Sequence, residues 1–103
     1  MRSSLLLLLT LATTASAGEV STPRAAELRH LVEQDCGACH GMTRKGGLGP
    51  DIRAQTLEGR DAEGLAQIIK DGIPDTAMPP WGPLLADEEI NWIAQYLLKD
   101  VKE

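Results

Sequence analysis

The chain is poor in the large side chains that usually fill the core of a small protein. Its 103 residues include no phenylalanine, two tryptophans and one tyrosine. Aromatic rings bury more apolar area than other side chains, so a domain of this composition has little apolar mass of its own. Small domains with that deficit usually depend on several disulfides, a metal or another bound group. We therefore expect a large buried cofactor to complete the core.

Cysteine is also scarce, and its placement excludes a disulfide-rich scaffold. The only two are Cys36 and Cys39, in the stretch DCGACHG. A bridge between them would close a loop too small to stabilise the fold through chain entropy. A thioredoxin-like redox pair should follow a strand, whereas Leu28, Leu31 and Val32 before the motif have helical spacing. Neither a structural disulfide nor a redox pair is favoured.

Two metal-centred interpretations of the motif remain. A closed zinc site needs four ligands, and beyond the cysteines the sequence offers only His30 and His40, so a carboxylate would have to join them. The pattern Cys-x-x-Cys-His is instead typical of c-type haem attachment, in which two thioethers hold the porphyrin edge and the adjacent imidazole binds iron. The motif predicts one covalent haem c, attached at Cys36 and Cys39 and ligated by His40.

The second axial ligand of such a haem has three candidates in the sequence. His30 points away from the apolar stripe of its helix, and Met42 follows His40 too closely to reach the other face of the macrocycle. Met78 lies 38 residues after His40, in GIPDTAMPPW. Prolines stiffen that stretch, which lowers the cost of closing the loop onto iron. Met78 is the expected ligand, with an ordinary core methionine as the alternative.

The first 17 residues have the features of an export signal. Arg2 precedes the apolar run from Leu5 to Leu9, and small residues follow it up to Ala17. An uncleaved membrane anchor is the alternative, but residues 3–17 are shorter than the roughly 20 apolar residues that span a bilayer. We expect cleavage after Ala17, a mature domain of residues 18–103 in the periplasm and no stable membrane insertion.

Charge separates the classes of partner. Without residues 1–17 the chain keeps 9 basic and 15 acidic residues, a formal charge of −6. Such a surface is repelled by a phosphate backbone, so nucleic acid is not an expected partner. A basic protein surface is favoured instead.

Three short amphipathic helices are predicted, and each needs a common core to persist. The first runs from near Thr22 to about Gln34, just before the haem motif. The second is capped by Asp61 and ends at Gly72, and the third opens at Asp87. The positions expected to be buried are Leu65, Ile68 and Ile69 in the second helix and Ile90, Ile93, Ala94 and Leu97 in the third.

The order CGACH, GLGPDI, AMPPW and WIAQYLL resembles a class I monohaem cytochrome c over essentially the whole mature chain. The resemblance implies an all-α fold of about three main helices and loops around one haem. It also implies that a Gly-Pro carbonyl, here that of Pro50 after Gly49, accepts the N–H of His40. The order and spacing of these motifs are also similar to those of the cytochrome c-55X type, which is encoded beside bacterial nitrite reductase. Aliphatic Leu31 and Val32 stand where many class I members carry an aromatic residue.

The same resemblance implies a periplasmic electron carrier that performs no bond chemistry. Its expected partners are a periplasmic reductase, such as nitrite reductase, and a membrane-bound or soluble electron donor. A six-coordinate iron leaves no vacancy for substrate, so the chain is not expected to be an enzyme. The two alternatives are a maturation factor for the nitrite reductase haem cofactor and a haem-based gas sensor.

A few polar and aromatic side chains admit more than one interpretation. The Trp81 indole could donate to a haem propionate or simply pack, and its position alone does not separate the two. Trp92 and Tyr96, four apart on the last helix, are expected to pack against the first helix. Arg44 and Lys45 are expected in a solvated loop, with propionate pairing or partner guidance as the alternative.

Overall fold

The computed structural model describes residues 19–99, together with Leu6 and Leu8. Apart from those two leucines, the predicted signal of residues 1–17 lies outside the described residues, so cleavage after Ala17 stays a prediction. Between residues 19 and 99 every regular element is helical and there is no strand. The predicted all-α class is confirmed. Over the same range no helix is both long and apolar enough to cross a bilayer.

Helix α1, Thr22–Leu31, begins where the sequence predicts. The Ser21 side chain accepts a hydrogen bond from the backbone N–H of Arg24 at 3.3 Å, and Pro23 occupies the first turn. A proline there loses no hydrogen bond, because the first amides of a helix have no partner within it. His30, near its end, is exposed, as its position off the apolar stripe predicts.

The helical run does not stop before the cysteine motif. After α1 the chain forms a five-residue π-helical turn, Val32–Cys36, and then α2, Gly37–His40. The run ends only at Gly41, whose φ of 89° other residues rarely adopt. The prediction that the first helix ends near Gln34 is therefore wrong. No proline interrupts the chain between Leu31 and Gly41, so the helical run continues through one π turn.

Helix α3, Ala62–Asp71, has the predicted ends. The Asp61 carboxylate accepts from the Gly64 N–H at 2.5 Å, and Gly72 closes the helix with a φ of 67°. Its buried face is narrower than expected. Leu65 and Ala66 are buried, whereas Ile68 and Ile69 are only partly buried. At 100° per residue Ile68 falls at the edge of the apolar stripe of α3. Its predicted burial is therefore wrong, because residues at the edge of a stripe stay partly exposed.

Helix α4, Asp87–Leu98, packs against both α1 and α3. All four of its predicted core residues are buried: Ile90, Ile93, Ala94 and Leu97. From α1 and the π turn, Leu28 and Val32 complete the crossing with 0% and 2% exposure. Leu31 is only partly buried. The crossing is built from aliphatic side chains, in line with the absence of an aromatic residue at these positions of the first helix.

An ion pair connects the amino-terminal ends of α1 and α4. The Arg24 guanidinium donates to Glu89 and, at 2.7 Å, to Glu27. Glu89 also accepts from the backbone N–H of Ala86 at 3.0 Å, so one carboxylate both caps α4 and holds α1. This junction fixes α1 against α4, and the cysteine motif lies at the other end of the helical run that begins with α1.

Candidate haem site

The motif residues lie on one face of a helix. Cys36 ends the π turn, and Cys39 and His40 follow on α2, at spacings of three and four residues. Side chains at these spacings are neighbours on a helix surface. All three are partly buried, and both thiols are unpaired. The helix therefore presents two thiols and an imidazole together, as covalent haem attachment requires.

The Cys36 thiol lacks the lowered pKa that marks the attacking cysteine of a redox pair. Burial, with a smaller contribution from the negative charge of Asp35, raises the pKa of the Cys36 thiol to about 11. Reactive dithiols instead have a cysteine with a lowered pKa, because the thiolate is the nucleophile. Across residues 19–99, no cluster of three or more His, Cys, Asp or Glu side chains is placed to hold a metal ion. The zinc interpretation gains no support from this part of the chain.

The imidazole of His40 is held by a backbone carbonyl. Its Nδ1 lies 2.8 Å from the carbonyl oxygen of Pro50. A carbonyl can only accept, so the proton resides on Nδ1 and the Nε2 lone pair is left for a metal. This is the contact that the family resemblance implies for Pro50, and a ring held in this way suits an axial ligand.

Gly49 forms a cradle for the same ring, which sequence reasoning did not anticipate. A Cβ at this position would lie 2.8 Å from both Cε1 and Nδ1 of His40, closer than real Cβ contacts allow. The only signal in the sequence is the Gly-Pro pair itself, which also describes an ordinary turn. The close approach of the backbone to His40 explains why the residue before Pro50 has no side chain.

Backbone hydrogen bonds tie the loop after His40 to the helix. The Gly49 N–H donates to the Cys39 carbonyl at 2.7 Å, and the Ile52 N–H donates to the Arg44 carbonyl at 2.9 Å. Both bonds bracket Pro50 in the chain. They hold its carbonyl in the position that meets the imidazole.

An ion pair follows directly after Pro50. The Arg53 guanidinium donates to the Asp51 carboxylate, with 2.6 Å between Nη2 and Oδ2. These hydrogen bonds hold the pKa of the Asp51 carboxyl well below its usual range. The pair adds a second, charge-based restraint on the end of the loop.

Met78 lies in the loop between α3 and α4 and is partly buried. Its backbone is fixed on both sides: its N–H donates to the Thr76 hydroxyl at 3.3 Å and its carbonyl accepts from Ile73 at 3.2 Å. A Cβ on Gly72 would lie 2.7 Å from that carbonyl. Gly72 is thus more than a helix stop, since it lets the methionine loop pass close to α3. The role of Met78 as iron ligand stays a prediction.

The aromatic residues form contacts that only the fold could reveal. Trp92 and Tyr96 are stacked, with ring centroids 5.1 Å apart and planes inclined by 13°. The Arg44 guanidinium lies over the ring of Tyr96, 5.5 Å from its centroid. Arg44 is therefore half-buried, and its expected place in a solvated loop is wrong, whereas Lys45 is exposed as expected. Trp81 packs on the core cluster, and its propionate contact stays a prediction.

The comparisons with known proteins agree with this geometry. Residues 23–97 match the family described as cytochrome c oxidase, cbb3-type, subunit III. The chain is 56% identical over 98 residues to cytochrome c55X of Paracoccus denitrificans, covering 95% of each chain. Among solved structures it matches the c-type cytochrome NirC with a TM-score of 0.74 and 42% identity, over 77% of this chain and 93% of that one.

A second solved structure is the dihydro-heme d1 dehydrogenase NirN in complex with DHE. The TM-score is 0.67 and the identity 29%, over 73% of this chain but only 16% of NirN.

The two thiols, the imidazole with a free Nε2 and the glycine cradle fit a covalent haem. The chain belongs to the cbb3-type cytochrome c family, is related to cytochrome c55X and NirC, and has covalently bound haem c as its cofactor.

Proposed function

We propose that this c-type cytochrome is a periplasmic electron carrier and not an enzyme. Cys36 and Cys39 would attach the haem covalently, and His40 and Met78 would ligate its iron. When bound, the haem supplies the one-electron redox change. The observation that best supports the assignment is the hydrogen bond from His40 Nδ1 to Pro50, because it prepares Nε2 as a permanent ligand.

The residues around the site restrain the ligands, which suits electron transfer without rearrangement. The Pro50 carbonyl sets the orientation and basicity of the His40 ring. The Asp51–Arg53 pair holds the end of that loop. On the other side, Met78 stands directly before two prolines that limit the motion of its backbone. A ligand set held in this way changes little between oxidation states.

The proposed acceptor is a periplasmic nitrite reductase, and the donor is a membrane-bound or soluble redox protein. The relationship to cytochrome c55X and NirC supports this partner class. A formal charge of −6 for residues 18–103 favours a basic docking surface on the partner. Such encounters bury little area and weaken with salt, which permits rapid turnover.

A second candidate is a role in maturation of the nitrite reductase haem cofactor. It is favoured by the match to NirN, whose name describes a dihydro-heme d1 dehydrogenase. The match covers 16% of that protein, so the rest of the dehydrogenase has no counterpart here. In this role the cytochrome would accept electrons released during cofactor oxidation, and its own site residues would be the same.

A deletion strain separates the two roles. For the carrier, the reductase accumulates with its full complement of haem cofactor, and nitrite reduction slows until the gene is restored. Reductase protein that lacks its special haem would identify the maturation role and overturn the first proposal. As a matched control, the strain is complemented with a Cys36→Ser, Cys39→Ser chain, which should restore neither function.

Mixing experiments test the carrier step directly. The reduced protein should be oxidised by purified nitrite reductase in a bimolecular reaction whose rate falls as salt is added. Oxidation that is slow at every ionic strength would exclude the reductase as acceptor. The intact mass of protein from a periplasmic fraction should correspond to residues 18–103 plus one haem, which tests the export boundary.

A further inference from the structure

A groove of about 460 Å³ lies where α1, the loop after His40 and α4 meet. Its lining includes none of the four residues assigned to the haem, Cys36, Cys39, His40 and Met78. The groove is therefore lined by residues other than the proposed attachment points and iron ligands. Volumes of this size are in the range of small-molecule pockets.

One part of the wall is cationic. Arg29 and His30 contribute from α1 and Arg44 from the loop. None of the three takes part in the ion pairs formed within residues 19–99. The whole chain carries a formal charge of −5, so this concentration of unpaired basic groups runs against its net charge. Local positive potential in a recess attracts anions even on an acidic protein.

Arg44 is the most constrained of these groups. One face of its guanidinium covers the ring of Tyr96, and its Nη1 is buried without a hydrogen-bond acceptor. Its φ of 63° is unusual for a residue other than glycine. Both features are unfavourable in the isolated chain. A guanidinium that lines a groove can donate charge-assisted hydrogen bonds to a carboxylate.

The rest of the wall combines apolar and polar side chains. Ala26, Val32 and Met42 lie beside the cations, and Met42 is 55% exposed. Glu33 is the one carboxylate among the lining residues, and it opposes an anionic ligand. The combination suits a ligand that has one carboxylate and a small apolar body.

We propose that this groove binds a carboxylate through Arg44, with Arg29 adding positive potential and the apolar side chains of the wall contacting the body of the ligand. The carboxylate belongs to a small free organic acid, because the groove has the volume of a small-molecule pocket and the negative charge of the chain disfavours an acidic partner surface. The site does not depend on the electron-carrier role, because it involves none of the haem-ligating residues.

The test uses the haem-loaded protein in its reduced, diamagnetic state, titrated with benzoate and followed by amide NMR. Saturable shifts are expected at residues 26–33, 42–44 and 96. Benzamide has the same shape without the charge and should produce no saturable shifts at these positions. Equal responses to benzoate and benzamide, or shifts spread over the surface without saturation, would overturn the proposal.

Matched variants locate the interaction. Arg44→Gln should weaken benzoate binding by about tenfold, since it removes a charge-assisted hydrogen bond. Lys45→Gln removes the same charge from the next residue, which is exposed and outside the groove, and should leave the affinity unchanged. Glu33→Gln should tighten binding. Equal losses in the Arg44 and Lys45 variants would reduce the effect to general charge and refute the site.

The source of the carboxylate is resolved by a second ligand. N-acetylglutamate α-amide presents the carboxylate as a protein side chain does. Tighter binding of benzoate than of this compound is expected for a site that takes small organic acids, and the reverse order would overturn that assignment in favour of a partner protein. Failure of both ligands to bind the reduced protein would refute the proposal whatever the outcome of the nitrite reductase experiments.

Discussion

The Nδ1 atom of His40 lies 2.8 Å from the carbonyl oxygen of Pro50, ten positions later in the chain. If His40 ligates the haem iron, as we propose, this hydrogen bond would make the imidazole a stronger electron donor and would stabilise Fe(III) relative to Fe(II). Pro50→Ala keeps the carbonyl but loosens its backbone. We expect the reduction potential to rise by up to about 40 mV, the equivalent of about 1 kcal/mol for one electron. Spectroscopic redox titration measures the change.

The control for this substitution is Pro83→Ala, an exposed proline distant in sequence from the motif. It should leave the potential unchanged. If both variants shift the potential equally, the effect of Pro50 is a general loss of rigidity and the assigned contact with His40 is not responsible.

Gly49→Ala should disrupt the site itself. The added methyl group would lie 2.8 Å from the His40 ring, so either the imidazole or the loop must move. We expect a reduced yield of covalent haem, measured by haem staining of denatured protein, and an altered low-spin visible spectrum. Gly59→Ala is the matched control, because its φ of 86° imposes strain while no atom lies within 4 Å of the new Cβ. That variant should lose some thermal stability and keep the normal spectrum.

Met78→Ala tests the second axial ligand. Loss of the thioether should lower the reduction potential and abolish the weak charge-transfer band of sulfur-ligated ferric haem. Met42→Ala changes an exposed methionine close to the motif and should preserve both properties. An unchanged spectrum of the Met78 variant would transfer the ligand role to another residue, with His30 the first to examine.

The Arg24–Glu89 pair predicts a specific dependence of stability on pH. The hydrogen bond from Arg24 lowers the pKa of Glu89 below its ordinary value of 4.5. A lowered folded-state pKa stabilises the protein above the ordinary value, and that contribution is lost as the pH falls through the folded pKa. Glu89→Gln should lower the melting temperature by roughly 2–4 °C at pH 7 and by progressively less below pH 4.5.

Glu88→Gln provides the comparison, since Glu88 is exposed and stands next to Glu89 at the start of α4. Its melting temperature should differ little from that of the unchanged protein across the same pH range. A gap between the two variants that persists undiminished well below pH 4.5 would show that the loss arises from packing or capping instead of charge.

Local signals in the sequence were sufficient for much of the architecture. The cap at Asp61, the helix stop at Gly72 and the buried face of α4 were predicted correctly, because each depends on residues within a turn or two. The predicted burial of Ile68 is too high. The burial of a residue at the edge of an apolar stripe depends on how much of the helix surface the neighbouring element covers. The continuation of the helix past Gln34 was missed, because no sequence signal distinguishes a π turn from a helix end.

The sequence by itself predicts the chemistry of the chain: the spacing of Cys36, Cys39 and His40 indicates a covalent haem, since that motif needs only local helical geometry to bring its groups together. The cradle of Gly49 against His40 and the placement of Arg44 on Tyr96 were decided by the tertiary structure. These contacts join segments far apart in the chain or depend on loop conformation. These contacts depend on how closely two segments pack in the folded chain. A local pattern of residue types does not specify that distance.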